Sequence, residues 1–312
     1  MKKKLIAIVG PTAVGKTKLS IEIAKHYNGE IISGDSMQIY KGMDIGTAKV
    51  TKDEMKNIPH YMIDIKRPDE SFSAADFKQY VDHYIEIISV KDKDKLPILV
   101  GGSGLYVQAA LYNYNFTAYQ RNNELIKKLN KEIELNGIQP LYERLKKVDP
   151  QQAKKIHPNN YRRVVRALEI YETTGKRMSE YQQQQSGKSP YDYKIIGLEM
   201  DREKLYDRIN KRVDDMIEKG LVEEAYQLYS RGYAHKQSMQ AIGYKEFLPY
   251  FKNEISLTEA IATLKQNSRR YAKRQYTWFR NKMDVSWYDV SSVSIDEKLR
   301  NILDDLAGFI QS

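Results

Sequence analysis

The stretch Gly10-Pro-Thr-Ala-Val-Gly-Lys-Thr17 constrains the fold of this chain more than any other. It matches G-x-x-x-x-G-K-[ST], follows the apolar run Leu5–Val9 and leads directly into a helical pattern. A strand, a glycine-rich loop and a helix in that order make a phosphate cradle. Gly10 and Gly15 let the backbone turn so that its N–H groups point inward around an anion. Pro11, Thr12, Ala13 and Val14 complete the turn, and the helix N-terminus adds positive partial charge. Lys16 is placed to meet terminal phosphate oxygens, and the Thr17 hydroxyl to ligate a Mg²⁺ bridging them. The loop does not say which phosphate it holds.

Further short apolar runs lie at Glu30–Ser33, Tyr61–Ile65, Leu96–Val100 and Lys194–Leu198, with helical patterns between them. The alternation predicts an α/β fold, a doubly wound and mainly parallel sheet with helices on both faces. Such sheets bind ligands at the carboxyl ends of their strands. The glycine loop, Asp35 and Gly101–Gly104 all fall at such ends and are expected to converge on one cleft. From about Asn113 to Pro190 no strand is apparent. Charged amphipathic segments at Asn122–Leu135, Leu141–Lys147 and Tyr161–Tyr171 read as helices, punctuated by Gly137, Pro140, Pro150 and Pro158. The expected organisation is a catalytic core of residues 1–112 and 191–312, interrupted by an inserted all-helical subdomain of residues 113–190. Gln182–Gln185 and Ser186–Pro190 read as a flexible exit from it. Two long helices, Asp201–Leu228 and Leu257–Lys282, follow the last strand.

A chain of 312 residues with 41% hydrophobic and 29% charged residues is soluble and globular, with room for a core and a second module. No apolar run approaches the roughly 20 residues that span a bilayer. The basic start Met1–Lys4 precedes too short an apolar segment for a signal peptide, and no membrane association is expected. The absence of cysteine excludes disulfides, thiolate zinc sites and a cysteine nucleophile, and suits a reducing cytoplasm. The net charge of +10 favours a polyanionic partner, nucleic acid above all, or else serves solubility. Its distribution matters more. From Lys265 to Lys282 there are seven Lys or Arg residues and no acid, interleaved with Tyr271, Tyr276, Trp278 and Phe279. Arg270, Lys273, Arg274 and Thr277 share a helix face that can track a phosphate backbone, while the aromatics turn to the core.

Asp35 sits just past a strand end. A carboxylate there could hold Mg²⁺ indirectly, cap the next turn, or accept a proton from a nucleophile. A hydrolytic P-loop enzyme usually carries an acid at the end of a neighbouring strand. Here the strand at Pro97–Gly102 ends in glycines and Ser103, which suits group transfer better than hydrolysis. Arg208 and Arg212 lie four residues apart on one helix face. Either could stabilise a departing pyrophosphate, or pair with Asp207 or Asp215.

Together the segments GPTAVGKT (10–17), DSMQIYKGMDIGTAK (35–49), PHYMIDI (59–65), ILVGGSGLY (98–106), NNYRRVVRALEIYETTGK (159–176), DREKLYDRINKRV (201–213), QAIGYKEF (240–247) and YAKRQYTWFR (271–280) resemble the bacterial tRNA dimethylallyltransferase family, also called tRNA isopentenyltransferases. The resemblance implies a P-loop NTPase-like core and transfer of a dimethylallyl group from dimethylallyl diphosphate to N6 of the adenosine 3′ of a tRNA anticodon. The cradle is then reused for an organic diphosphate. Catalysis would fall to Asp35, Lys16, Thr17 and Arg208, with Arg212 also on the diphosphate and Mg²⁺ on Thr17. Contacts to the tRNA anticodon stem-loop would come from Asp35, Ser36, Met37, Gln38, Gly101, Ser103, Asn159, Asn160, Tyr161, Arg162, Arg163 and Arg166. Gln240, Ala241, Ile242, Gly243, Tyr244, Lys245, Arg270, Lys273 and Arg274 would add others. A cytoplasmic monomer is expected. The competing readings are a nucleotide-type kinase, an adenylate isopentenyltransferase acting on free AMP, and a non-catalytic RNA-binding protein switched by nucleotide.

Overall fold

The computed structural model describes residues 2–91, 95–112, 114, 121–183, 188–292 and 295–311. They form two compact units, one of residues 1–111 and 189–312, the other of residues 112–188. The first is built on six strands: β1 (Lys4–Val9), β2 (Gly29–Ser33), β3 (His60–Tyr61), β4 (Leu96–Gly101), β5 (Asp192–Glu199) and β6 (Ser286–Asp289). Their order is β3-β2-β4-β1-β5-β6 and every pairing is parallel, as the α/β expectation required. Residues Leu5 to Val9 of β1 are completely buried. A strand covered on both faces needs that unbroken apolar run.

Helices α1 (Lys16–His26), α2 (Lys52–Met55), α3 (Ala74–Lys91) and α4 (Gly104–Leu111) belong to the first half of this unit. The second unit holds α5 (Asn123–Asn136), α6 (Gln139–Val148), α7 (Pro150–Lys155), α8 (Tyr161–Thr174) and α9 (Met178–Gln183). It has its own core, with Leu129, Leu141, Leu145, Val164 and Leu168 fully or almost fully buried. The buried Asp149 carboxylate joins two of its helices, accepting from Gln152 N of α7 at 3.0 Å and from Ser179 N of α9 at 2.9 Å. The first unit resumes with α10 (Arg202–Glu218), α11 (Leu221–Ser230), α12 (Leu248–Phe251), α13 (Leu257–Lys282) and α14 (Ile295–Gln311). Among the described residues no helix is long and apolar enough to cross a membrane. Of the exit segment expected at Gln182–Pro190, Gln184–Gly187 lie outside the described residues, as does Asn113.

Two expectations are corrected. The strand expected at Tyr61–Ile65 is confined to His60–Tyr61, because Met62 and Asp64 take left-handed backbone angles, with φ of 62° and 55°. The helix expected over Asp201–Leu228 is two, α10 and α11, separated at Gly220 with φ of 94°. The region past Asp284 supplies strand β6 and helix α14, whose Ile295, Ile302 and Leu306 are buried in the core shared with β1 and α1.

At the carboxyl ends of β2 and β4 two backbones nearly touch. Gly34 N donates to Val100 O at 2.7 Å, and a Cβ on Gly101 would lie 2.4 Å from Gly34 O. Only glycine fits there. Gly101→Ala is expected to destabilise the protein by about 1–3 kcal/mol. Gly308→Ala, in α14 with open space around it, is expected to add about 0.5–1 kcal/mol. Urea unfolding of the two variants, followed by circular dichroism, checks both signs.

Candidate active site

The glycine loop wraps around its own lysine. Ala13 and Gly15 take positive φ, 64° and 113°, and turn the loop back over the start of α1. The Lys16 ammonium donates to Gly10 O at 3.0 Å and to Pro11 O at 2.7 Å. Burial, and after it the charge of Arg212, push its pKa down to about 7 against the opposing pull of Asp35. Thr17 faces the same cavity at the first turn of α1.

One side chain ties this loop to its neighbour. Gln275 of α13, almost fully buried, accepts from Thr12 N at 2.9 Å and donates to Gly102 O at 3.0 Å. Tyr271, one turn earlier on the same face, bonds to Ser103 and Gln275. Burial and the nearby Asp35 push its phenol pKa up to about 12. Asp35 itself accepts from Met37 N at 2.8 Å, so one oxygen shapes the turn after β2. Ser36 N and the Ser36 hydroxyl meet Ser103 Oγ at 3.3 Å. The Gln38 side chain is spent within the loop, accepting from Ser33 Oγ at 3.0 Å and donating to Thr47 O and Ala48 O.

Two cavities result. The larger, about 440 Å³, is lined by Thr12, Ala13 and Gly15 to Thr17 of the loop and by Asp35, Gln38, Gly101, Arg208, Arg212 and Gln275. The smaller, about 230 Å³, is more apolar and is walled by Met37, Ile209, Val213, Met216, Ile242 and Leu264. Thr12, Asp35, Thr47, Arg212 and Tyr271 line both. The two arginines of α10 are therefore not equivalent. Arg212 is half-buried, lines both chambers and is electrostatically coupled to Lys16 and Asp35. Arg208 is exposed and lines only the larger one. Among the described residues neither pairs with Asp207 or Asp215; the paired acid of this helix is Asp214, held by Lys265 at 2.6 Å.

The other sequence-derived candidates spread more widely. Ala241, Ile242 and Gly243 wall the smaller chamber, whereas Tyr244 is fully buried and cannot meet a partner at the surface. Gln240 is exposed, and Lys245 lies within 3.9 Å of Glu246. Arg270, Lys273 and Arg274 are exposed on α13, with the Arg274 guanidinium over the Tyr271 ring at 5.6 Å. In the second unit Asn160 caps α8 by accepting from Arg163 N. Asn159, Tyr161, Arg162 and Arg163 are exposed beside it, and Arg166 pairs with Glu169 at 2.8 Å. Thr47 and Gln275 were missed in the sequence. Gln275 follows Tyr271 by four residues, a spacing that puts both on one helix face, but its neutral side chain was hidden among seven cations.

Because the Lys16 pKa is lowered in the native state, the unfolded chain binds more protons between about pH 7 and 10. Stability should therefore rise with pH across that window through this group. Relative to Lys16→Met, the wild-type melting temperature is expected to climb from pH 7 to pH 10. Parallel curves would show a lysine with an ordinary pKa.

A family model described as IPP transferase matches residues 38–282. The tRNA dimethylallyltransferase of Oceanobacillus iheyensis is 60% identical over 311 residues, covering 100% of this chain and 99% of its own length. That of Bacillus cytotoxicus is 56% identical over 310 residues, covering 99% and 96%. Among solved structures, the full-length tRNA isopentenylpyrophosphate transferase of Bacillus halodurans is similar with a TM-score of 0.76 at 52% identity, over 99% of this chain and 97% of that one. A eukaryotic dimethylallyltransferase captured crystallographically acting on tRNA gives a TM-score of 0.83 at 34% identity, over 98% of this chain and 80% of that one. The chain therefore belongs to the IPP transferase family.

Proposed function

We propose that the protein modifies tRNA, transferring a dimethylallyl group from dimethylallyl diphosphate to N6 of the adenosine immediately 3′ of the anticodon and releasing diphosphate. The observation that carries this reading is the pair of chambers meeting at Asp35, Arg212 and Tyr271. A diphosphate needs the polar chamber, a flipped base needs the apolar one, and the reacting carbon and nitrogen must meet where the two join.

The diphosphate rests on the amides of Gly10–Thr17, with Lys16 and Arg212 beside it and Arg208 at the rim. These groups stabilise the negative charge that grows on the leaving group. A metal fits the same place. Thr17 offers a hard oxygen donor and Asp35 lines the same cavity. Among the described residues no group of three or more His, Cys, Asp or Glu could cage a metal. That donor set suits Mg²⁺ held largely by the oxygens of the diphosphate. When bound, Mg²⁺ spreads the charge of the departing diphosphate.

The adenine N6 amine is a weak nucleophile, since its lone pair is delocalised into the ring. It therefore needs an electrophile that ionises readily. The allylic C–O bond breaks with its electron pair leaving on the diphosphate. The N6 lone pair forms the new C–N bond, and an N6 proton passes to Asp35. Asp35 is suited to this because its fold-shaping bond to Met37 N occupies one oxygen only. Exposed Arg162 and Arg163 of the second unit and the α13 cations contact the phosphates of the anticodon stem-loop.

The test incubates the enzyme with Mg²⁺, labelled dimethylallyl diphosphate and an unmodified tRNA whose anticodon is followed by adenosines. Parallel tubes replace tRNA with AMP, or the donor with ATP. Label is expected in tRNA and not in AMP; phosphate passed on from ATP would instead mark a kinase. Asp35→Ala is expected to lower kcat by about 10²–10⁴ with tRNA affinity within about threefold, and near-normal turnover removes Asp35 from the chemistry. Arg163→Ala is expected to weaken tRNA binding and reduce its salt slope by about one.

A further inference from the structure

The apolar chamber is closed by two segments that belong to neither helix nor strand on its lining side, residues 43–47 and residues 241–244. They interlock. A Cβ on Gly46 would lie 2.5 Å from the Tyr244 ring, and one on Gly243 would lie 3.0 Å from Gly46 O. A single carboxylate on a third element holds both. Glu224 of α11 accepts from Asp44 N and Ile45 N at 2.9 Å through Oε2. Through Oε1 it accepts from Gly46 N at 3.0 Å and from the Tyr244 hydroxyl at 2.6 Å.

Three successive backbone N–H groups and a phenol thus surround one anion. Such amide nests bind phosphates elsewhere; here the anion is supplied by the chain itself. Only a deprotonated carboxylate accepts all four bonds. The turn it grips is fixed from its other side by Lys49, whose nearly buried ammonium donates to Tyr40 O at 2.8 Å and to Asp64 at 2.6 Å. Thr47, which lines both chambers, follows directly and donates to Met43 O at 2.6 Å.

We propose that Glu224 is a positioning residue, one that sets the width of the apolar chamber through the Asp44–Gly46 amides and Tyr244, and so the register in which the acceptor base meets Asp35. This rests on the chamber being the acceptor site. Glu224 touches neither substrate, so its loss leaves the diphosphate cradle intact. A widened chamber also admits purines that the native one rejects.

The test compares wild type, Glu224→Gln and Tyr244→Phe. Glu224→Gln turns an N–H₂ toward the backbone donors and is expected to lower kcat for prenyl transfer by about 10–100-fold, while affinity for dimethylallyl diphosphate stays within about twofold. Tyr244→Phe removes one bond of four and is expected to cost about 3–10-fold. The decisive readout is selectivity, using tRNA in which the target adenosine is replaced by 2,6-diaminopurine nucleoside. Its rate relative to adenosine is expected to rise at least about fivefold in Glu224→Gln. Equal losses for both acceptors, or an unchanged kcat, overturn the proposal. Amide hydrogen exchange reads the nest without substrate: Asp44, Ile45 and Gly46 are expected to exchange about tenfold faster in Glu224→Gln, with Lys16 and Thr17 unaffected. Equal exchange in variant and wild type overturns the nest itself. A wild-type enzyme that transfers nothing, yet protects these amides, locates the failure in the assigned reaction and overturns the acceptor role with it.

Discussion

The site exists because loops from three strands are forced to one point, and the bond that holds them there is the side-chain amide of Gln275. It accepts from the glycine loop and donates to the end of β4, bridging Thr12 and Gly102 across the carboxyl edge of the sheet. The approach of β2 to β4 at Gly34 and Gly101 brings Asp35 within the same circle. Helix α13 is thus both a wall of the cavity and its fastening. Gln275 and Tyr271 face inward, while Arg270, Lys273 and Arg274 on the same helix face water.

Electrostatics complete what the geometry begins. Lys16 and Arg212 are two partly desolvated cations, Arg212 adding to the burial that lowers the Lys16 pKa, with Asp35 as partial compensation for both. Such a cluster is unfavourable alone and is relieved by an anion arriving between its members. The strain in charge is therefore stored where a diphosphate would discharge it. The neighbouring chamber carries almost no charge beyond Asp35 and Arg212, so one wall sees polarity and the other does not.

How much of this was readable in the chain depends on whether the signal is local. The cradle, the parallel sheet, Asp35 at a strand end and the long helix α13 follow from short patterns, and the structure places them together. Arg212 differs from Arg208 in burial, which a helical spacing of four cannot express. Gln275 and Glu224 owe their roles to partners between 20 and about 260 residues away, and a neutral amide or a surface-type acid carries no motif. The strand at Tyr61 failed because Met62 and Asp64 adopt a backbone that apolar periodicity does not register. Strand β6 and helix α14 were overlooked because Ser286–Asp289 is too short to stand out, although α14 is plainly amphipathic.

Helix α14 has an effect on the order of assembly. Its Ile295 sits against the loop, so close to Gly15 that a Cβ there would lie 2.2 Å from it. At its far end it is gripped by Lys4 of β1, which donates to Phe309 O and Ile310 O. The glycine loop is thus backed by a helix that leaves the ribosome long after it. Strand β1 emerges early but waits for β5, β6 and α14 before its sheet is flanked on both sides. The five-helix unit, whose contacts are local, has no such wait and is free to fold in the interval. A chain cut short before α14 would therefore carry the phosphate motif without the support that shapes it.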